Sequence, residues 1–310
     1  VLDIITIVLP VFLVIGTGYL TAYFKYFTAE QASALMRFAT QLAIPCLLFL
    51  AVANLDLAKE FNPSVLLPFY IGALSSFVIV WLGAGLVFKH NPGVRVAIGF
   101  AGLFSNLVLI GLAIVELAYG ADALKVAFAI VAIHAPFCYV LGITAMEFSR
   151  ADGLGFAATM RVVFKQVFSN TLMLGILLGF IVNLAHITIP APMLSALELF
   201  ARSALPVALF GLGAMLVSYR LRSGLGEVGL ISISMLIIHP LIAYLLGRYA
   251  FDLAPEVLKP VVLMAAMPPG MNVYIFATMY DRATGIAASS VLLSTVLSVV
   301  TISVWLIILA

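Results

Sequence analysis

Met267-Pro268-Pro269-Gly270-Met271-Asn272 interrupts an apolar run covering roughly residues 257–280. Each proline removes a backbone donor and presses its ring on the preceding turn, and the neighbouring glycine relaxes the chain further. The flanks, Pro260-Val261-Val262-Leu263-Met264 and Val273-Tyr274-Ile275-Phe276-Ala277, read as membrane helix. The pattern predicts a helix that enters the bilayer, unwinds halfway and resumes. Unwound backbone at that depth is tolerated only where protein or a watery cavity satisfies it. Broken helices of this kind are where secondary transporters build their binding sites.

The composition agrees with a membrane location. Of 310 residues, 65% are hydrophobic and 9% charged, against roughly a quarter charged in soluble domains. A polytopic all-α membrane protein is expected. The formal net charge of +2 gives no reason to expect a nucleic-acid partner. Cys46 and Cys138 both lie in apolar runs and read as buried free thiols. They form no metal-ligand spacing, so neither a metal nor a cofactor is expected. The first apolar segment is too long, and lacks the basic leader, for a cleavable signal.

Ten segments reach the roughly 20 residues that a crossing helix needs: 4–24, 32–53, 65–88, 94–118, 124–146, 167–185, 193–218, 228–251, 257–280 and 284–309. Turn residues separate them, among them Asn62-Pro63, Asn91-Pro92-Gly93, Gly120-Ala121-Asp122 and Pro190-Ala191-Pro192. The longest polar interval, 147–166, contains Arg150, Asp152, Gly153, Gly155, Arg161 and Lys165. It divides the chain into a first half, 1–150, a cytoplasmic connection, 151–166, and a second half, 167–310. Basic residues set the orientation. Lys25, Arg37, Lys89, Arg95, Arg150, Arg161, Lys165, Arg220, Arg222 and Arg282 belong to the odd-numbered loops, and Lys59, Lys125, Arg248 and Lys259 to the even ones. Ten against four places the odd loops in the cytoplasm and both termini outside.

The halves echo one another. Gly18 and Gly179, Pro45 and Pro206, Arg37 and Glu198, and Gln41 and Arg202 all share an offset of 161 positions. Five spans per half is an odd number, so the second half enters the membrane the opposite way up, as an inverted repeat. The fourth span then corresponds to the ninth. Its middle, Gly102-Leu103-Phe104-Ser105-Asn106, is read as a second break, weaker than the double proline.

At these motifs the chain resembles the auxin efflux carrier family, which includes PIN-type auxin carriers and malonate transporters. The resemblance rests on Leu42-Ala43-Ile44-Pro45-Cys46-Leu47-Leu48-Phe49, on Ser105-Asn106 followed by Gly111-Leu112, and on Ala204-Leu205-Pro206-Val207-Ala208-Leu209-Phe210-Gly211. Pro268 to Asn272 with Tyr274 and Tyr280 completes it, and the likeness covers nearly the whole chain. It implies a bacterial inner-membrane (plasma-membrane) protein of two inverted five-helix repeats, with helices four and nine crossing at their breaks. It also implies transport of an organic anion and makes a homodimer an expectation. The family's crossover residues fall on Ser105, Asn106, Pro268, Pro269 and Asn272. Two positions depart from the family pattern. Ala113 stands where helix four usually has proline, and Asn170-Thr171 stands where helix six often opens Asn-Pro.

Two breaks that cross would present two half-helix N-termini to one site. Each carries about half a positive charge and free N–H groups. Together they hold a carboxylate without a buried lysine or arginine. Ser105, Asn106, Pro268, Pro269, Gly270 and Asn272 form the candidate substrate site, with the two asparagine amides as donors. The plainer reading makes the asparagines caps for broken backbone. Candidate coupling or gating groups are Gln41, Glu116, His134, Glu198, Arg202 and His239. Glu198 and Arg202 have the spacing of an intrahelical ion pair, which is read first as structural. His134 and His239 lie beside Pro136 and Pro240. They are read first as neutral imidazoles bonded to carbonyls that those prolines free, and second as proton carriers. Ser290, Ser294, Ser298 and Thr301 read as interhelical glue, and Gly16, Gly18, Gly175 and Gly179 as close-packing positions.

The leading functional reading is a secondary carrier for a small organic anion, working by alternating access and coupled to a proton or a sodium ion. The alternative is a sodium-coupled carrier resembling the bile-acid symporters, which would need more acids at the crossing. The chain lacks His-Glu-x-x-His, an intramembrane aspartate pair and Gly-x-Ser-x-Gly, so an enzyme is not expected.

Overall fold

A computed structural model describes residues 2–149, 155–219 and 224–310. Arg150, Asp152, Gly153, Arg220 and Arg222, which entered the reading above, lie outside the described residues. Among those described, the chain is helical apart from turns and one isolated backbone bridge. The helices are α1 (Leu2–Tyr23), α2 (Ala29–Ala53), α3 (Pro63–Leu86), α4 (Pro92–Ala101), α5 (Leu107–Tyr119), α6 (Ala121–Ser149), α7 (Phe156–Phe168), α8 (Thr171–Leu184), α9 (Ala191–Leu216), α10 (Leu225–Ala250), α11 (Pro255–Ala265), α12 (Asn272–Met279) and α13 (Thr284–Ile308). A single helical turn, Leu57–Glu60, links α2 to α3.

Seven of these helices are long and apolar enough to cross a membrane, or eight if α7 and α8 count as one bent span. They coincide with the predicted segments one, two, three, five, seven, eight and ten, the sixth being the bent pair. Segments four and nine are not continuous helices. Each is two shorter pieces, α4 with α5 and α11 with α12. The polar connection is not all loop either, because Phe156–Phe168 within and beyond it is helical.

Local chemistry sets the ends. Thr28 and Gln31 form a reciprocal capping box at the start of α2. The side chains of Asn62 and Asn170 accept from the backbone N–H groups of Ser64 and Leu172, opening α3 and α8. Pro45 and Pro240 lie inside spans without breaking them. In both places the preceding turn widens to the π form, at Ala39–Ala43 and Ser234–Ile238, which makes room for the ring.

The chain packs as two units, each drawing helices from both sequence halves. One contains residues 9–61 and 166–218. Its helices approach closely at small residues. A Cβ on Gly18 would collide with the carbonyl of Phe210, one on Gly213 with that of Ile15, one on Gly175 with that of Pro45, and one on Gly179 would sit 2.8 Å from that of Phe49. Gly16, expected to pack in the same way, has open space instead, because it lies on another face of α1. Asn183 closes the end of α2 from outside, its amide donating to the carbonyls of Val52, Ala53 and Leu55 at 3.0, 3.0 and 2.8 Å. Glu198 and Arg202 pair at 3.6 Å with both side chains exposed.

The other unit contains residues 1–8, 62–165 and 219–310. Its interior uses hydroxyls between helices. Ser76 meets Ser234 at 2.9 Å and Ser232 meets Ser294 at 2.8 Å. Ser294 is thus glue in the sense predicted, whereas Ser290 and Ser298 bond to carbonyls of their own helix. Pro240 cannot donate to Leu236, and Trp305 Nε1 fills that vacancy at 2.9 Å. Both interrupted spans belong to this unit.

Candidate functional site

Helix α11 ends at Ala265, just before the double proline, and α12 resumes at Asn272. Helix α4 ends at Ala101 with no proline near it, and the chain is helical again from Leu107. The two unwound stretches pair with each other. Ser105 and Pro269 face one another in an antiparallel bridge. The Asn106 N–H donates to the Pro268 carbonyl at 2.7 Å, and the Gly270 N–H donates to the Phe104 carbonyl at 2.8 Å. Each break satisfies the other's backbone, which answers the requirement that apolar surroundings impose on unwound chain. A Cβ on Gly270 would meet Asn106 Cα and the Ser105 carbonyl at 3.4 Å, so the two backbones lie in van der Waals contact.

The bridge brings two helix N-termini together, those of α5 and α12. Neither is capped by a side chain. The capping role considered for Asn106 and Asn272 is therefore not the one they play. Asn106 and Ser105 are 5% and 2% exposed, and Asn106 Nδ2 and Ser105 Oγ have no hydrogen-bond partner. Leaving such groups unmatched costs about 1–3 kcal/mol each. Asn272 is half-buried, and its Oδ1 accepts from the Tyr139 hydroxyl at 3.2 Å. That contact occupies the amide oxygen and leaves the amide N–H₂ as the remaining donor. Pro268, Pro269 and Gly270 are buried at the crossing. What gathers here is a set of donors on two positive helix ends with no fixed charge among them, a chemistry suited to an anion.

His134 also touches the crossing, though not as expected. Its Nε2 accepts from the backbone N–H of Ser105 at 3.1 Å, instead of bonding the carbonyl that Pro136 frees on its own helix. His239 likewise looks across helices, with Nε2 3.1 Å from the Phe69 carbonyl of α3. The reason is depth in the packing. Both imidazoles are almost wholly buried, and both lie against the ring of Phe69. The remaining candidates stand apart. Glu116 points outward, nine residues into α5 and so about 13 Å along it. Gln41, Glu198 and Arg202 belong to the other packing unit, Gln41 and Arg202 being exposed and Glu198 partly so. Tyr139 was missed by sequence reasoning. Its only signal was a hydroxyl in the middle of an apolar run, one residue after Cys138. The stacked pair Phe100 and Phe276, 3.9 Å between centroids, ties α4 to α12 and was equally invisible.

A polytopic helical protein with two mutually paired breaks, donors at the pairing and no buried charge there has the features of a membrane transporter. Residues 3–306 match the family described as membrane transport protein, the auxin efflux carrier family, and the chain belongs to it. It is 25% identical to a Rhizobium meliloti (strain 1021) protein provisionally named a malonate transporter, over 97% of this chain and 94% of that one. It is 25% identical to an uncharacterized transporter of Escherichia coli (strain K12), over 96% and 95% of the two chains. Auxin efflux carrier component 8 of Arabidopsis thaliana is 22% identical over 93% and 92%. The family assignment does not favour the bile-acid-symporter-like alternative.

Proposed function

We propose that this membrane transporter carries small organic anions, malonate-like or auxin-like carboxylates, by alternating access around a site at the paired breaks. Ser105, Asn106, Asn272 and the backbone of Pro268, Pro269 and Gly270 form that site. The observation that carries the reading is the buried Asn106 amide, left without a partner beside two uncapped helix N-termini. A carboxylate would satisfy it, and the dipoles would hold the charge without a cation that stays buried when the site is empty. The names of the relatives support the same class of cargo.

The inverted repeat of 1–150 and 167–310, with ten crossings, is part of this proposal. A contact pair supports it. Gly18 packs on the Phe210 carbonyl and Gly179 on that of Phe49, and both glycines and both phenylalanines are 161 positions apart. Alternating access needs bodies that keep their shape, and the chain supplies two packing units. The orientation with termini outside rests on the basic residues and is read out by labelling single cysteines from each side of the membrane.

The test is uptake of radiolabelled malonate and indole-3-acetate into proteoliposomes, with and without sodium and at two pH values. The sodium and pH arms identify the coupling ion, and light scattering on the purified protein reports the homodimer. Asn106→Ala separates site from scaffold. It removes an unmatched buried group, so stability should hold or rise by about 1 kcal/mol, while uptake falls at least about tenfold. Full uptake by a folded Asn106→Ala protein would overturn the site.

A further inference from the structure

The two residues that face each other across the bridge differ in one respect. Pro269 has no N–H. Ser105 has one, and because the bridge's hydrogen bonds come from the flanking residues Asn106 and Gly270, it points away from the partner stretch. Continued helix would have sent that N–H to the carbonyl of Ala101, four residues back. It goes instead to Nε2 of His134, on α6, at 3.1 Å. We infer that His134 is a positioning residue that does for the fourth span what proline does for the ninth: it withdraws the Ser105 N–H from the helix, so the chain unwinds without a proline and reaches its partner in register.

The surroundings suit that task. To accept from an N–H, Nε2 must carry a lone pair, so the ring is neutral with its proton on Nδ1. Cys138 Sγ lies beside the ring, 3.8 Å from Nδ1 and 3.7 Å from Nε2, so the tautomer is set by the Ser105 N–H and not by the sulfur. The imidazole is 3% exposed, and the rings of Phe104 and Phe69 lie with centroids 4.9 and 5.7 Å from it. Packing therefore fixes where the acceptor sits. Two further features are consequences of that placement. Asn106 lends its N–H to Pro268, and its side-chain amide, with Ser105 Oγ, is left unspent.

This inference rests on the proposed anion site, and its test distinguishes the two. The full-length protein is compared with His134→Gln, whose amide oxygen takes the place of Nε2, and His134→Leu, which offers no acceptor. Amide exchange over residues 102–106 needs no substrate. It should rise about tenfold or more in His134→Leu and stay within about threefold of the parent in His134→Gln, the scale of one unmatched buried donor. The KM for the better transported of malonate and indole-3-acetate should follow the same order. A merely space-filling histidine would make the leucine variant the milder of the two, and that outcome overturns the inference. Equal exchange and equal KM in both variants overturn it as well. If His134→Leu does not fold, a folded His134→Gln with parental exchange supports it, and one with fast exchange refutes it. If Asn106→Ala keeps full uptake while the histidine variants diverge in exchange as expected, the anion site fails and the positioning role stands.

Discussion

The ninth span stops being helical where two prolines stand, and the fourth stops at Gly102 with no proline in reach. Both nevertheless end in the same bridge, Ser105 against Pro269. The ninth break is local. A proline inside a helix costs about 3 kcal/mol; single ones are carried within continuous helices at Pro68, Pro136 and Pro206, but two in succession beside Gly270 resist helix before any neighbour acts. The fourth break is imposed from outside, by His134, by the Pro268 carbonyl and by the fit of Gly102 against α3. One break is written in the chain and the other is held by its neighbours.

Three variants probe that contrast, in falling order of effect. Replacing both prolines (Pro268→Ala with Pro269→Ala) should do most harm. It lifts a penalty of about 6 kcal/mol from the helical form, against two bridge hydrogen bonds worth about 1 kcal/mol each. Span nine should straighten, with amide-exchange protection gained over 266–271 and anion uptake lost. Retained uptake with no gain in protection would show that the ninth break is also imposed from outside. Gly102→Ala should come next. Its Cβ would lie 2.7 Å from Cγ2 of Val80, an overpacking of about 1–3 kcal/mol visible in a thermal melt. An unchanged melting temperature would remove packing on α3 from the forces that hold the fourth break. Gly270→Ala should matter least. Its nearest neighbours are at 3.4 Å and its φ is not positive, so the change should stay within about 1 kcal/mol. A larger loss would mean that the backbones at the bridge must approach more closely during transport than they do here.

Much of the helical layout was readable in advance because lipid is a simple solvent. A crossing helix must be apolar over a fixed length, so composition alone marked the segments now seen as helices. The double proline was legible for the same reason that it acts, since it needs no partner. Gly102, Ser105 and Asn106 were legible as a break in an apolar run, but it looked the weaker of the two, because the close approach of Gly102 to Val80 of α3 cannot be read from either segment alone. In the sequence the histidines read as bonding the carbonyls that Pro136 and Pro240 free on their own helices, whereas His134 meets the Ser105 N–H and His239 the Phe69 carbonyl. The carbonyls assigned to them were wrong, because burial turned each imidazole toward a neighbouring helix. Tyr139 and the Phe100 and Phe276 stack could not be found, since nothing in their local sequence differs from ordinary core. Gly16 shows the converse, a glycine in the right span on the wrong face.

The sequence by itself determined that the chain lives in a membrane, where its helices run, and that the apolar segment 257–280 cannot be one continuous helix. Hydrophobic length and proline chemistry act on each segment alone, so a linear reading captures them. Only the tertiary structure decided that the fourth span breaks as fully as the ninth, that the two breaks share their hydrogen bonds, and that His134 takes the N–H of Ser105. Those outcomes depend on which donor meets which acceptor between residues far apart in the chain, 29 positions for His134 and Ser105 and more than 160 for the two breaks, and the folded packing alone sets that pairing.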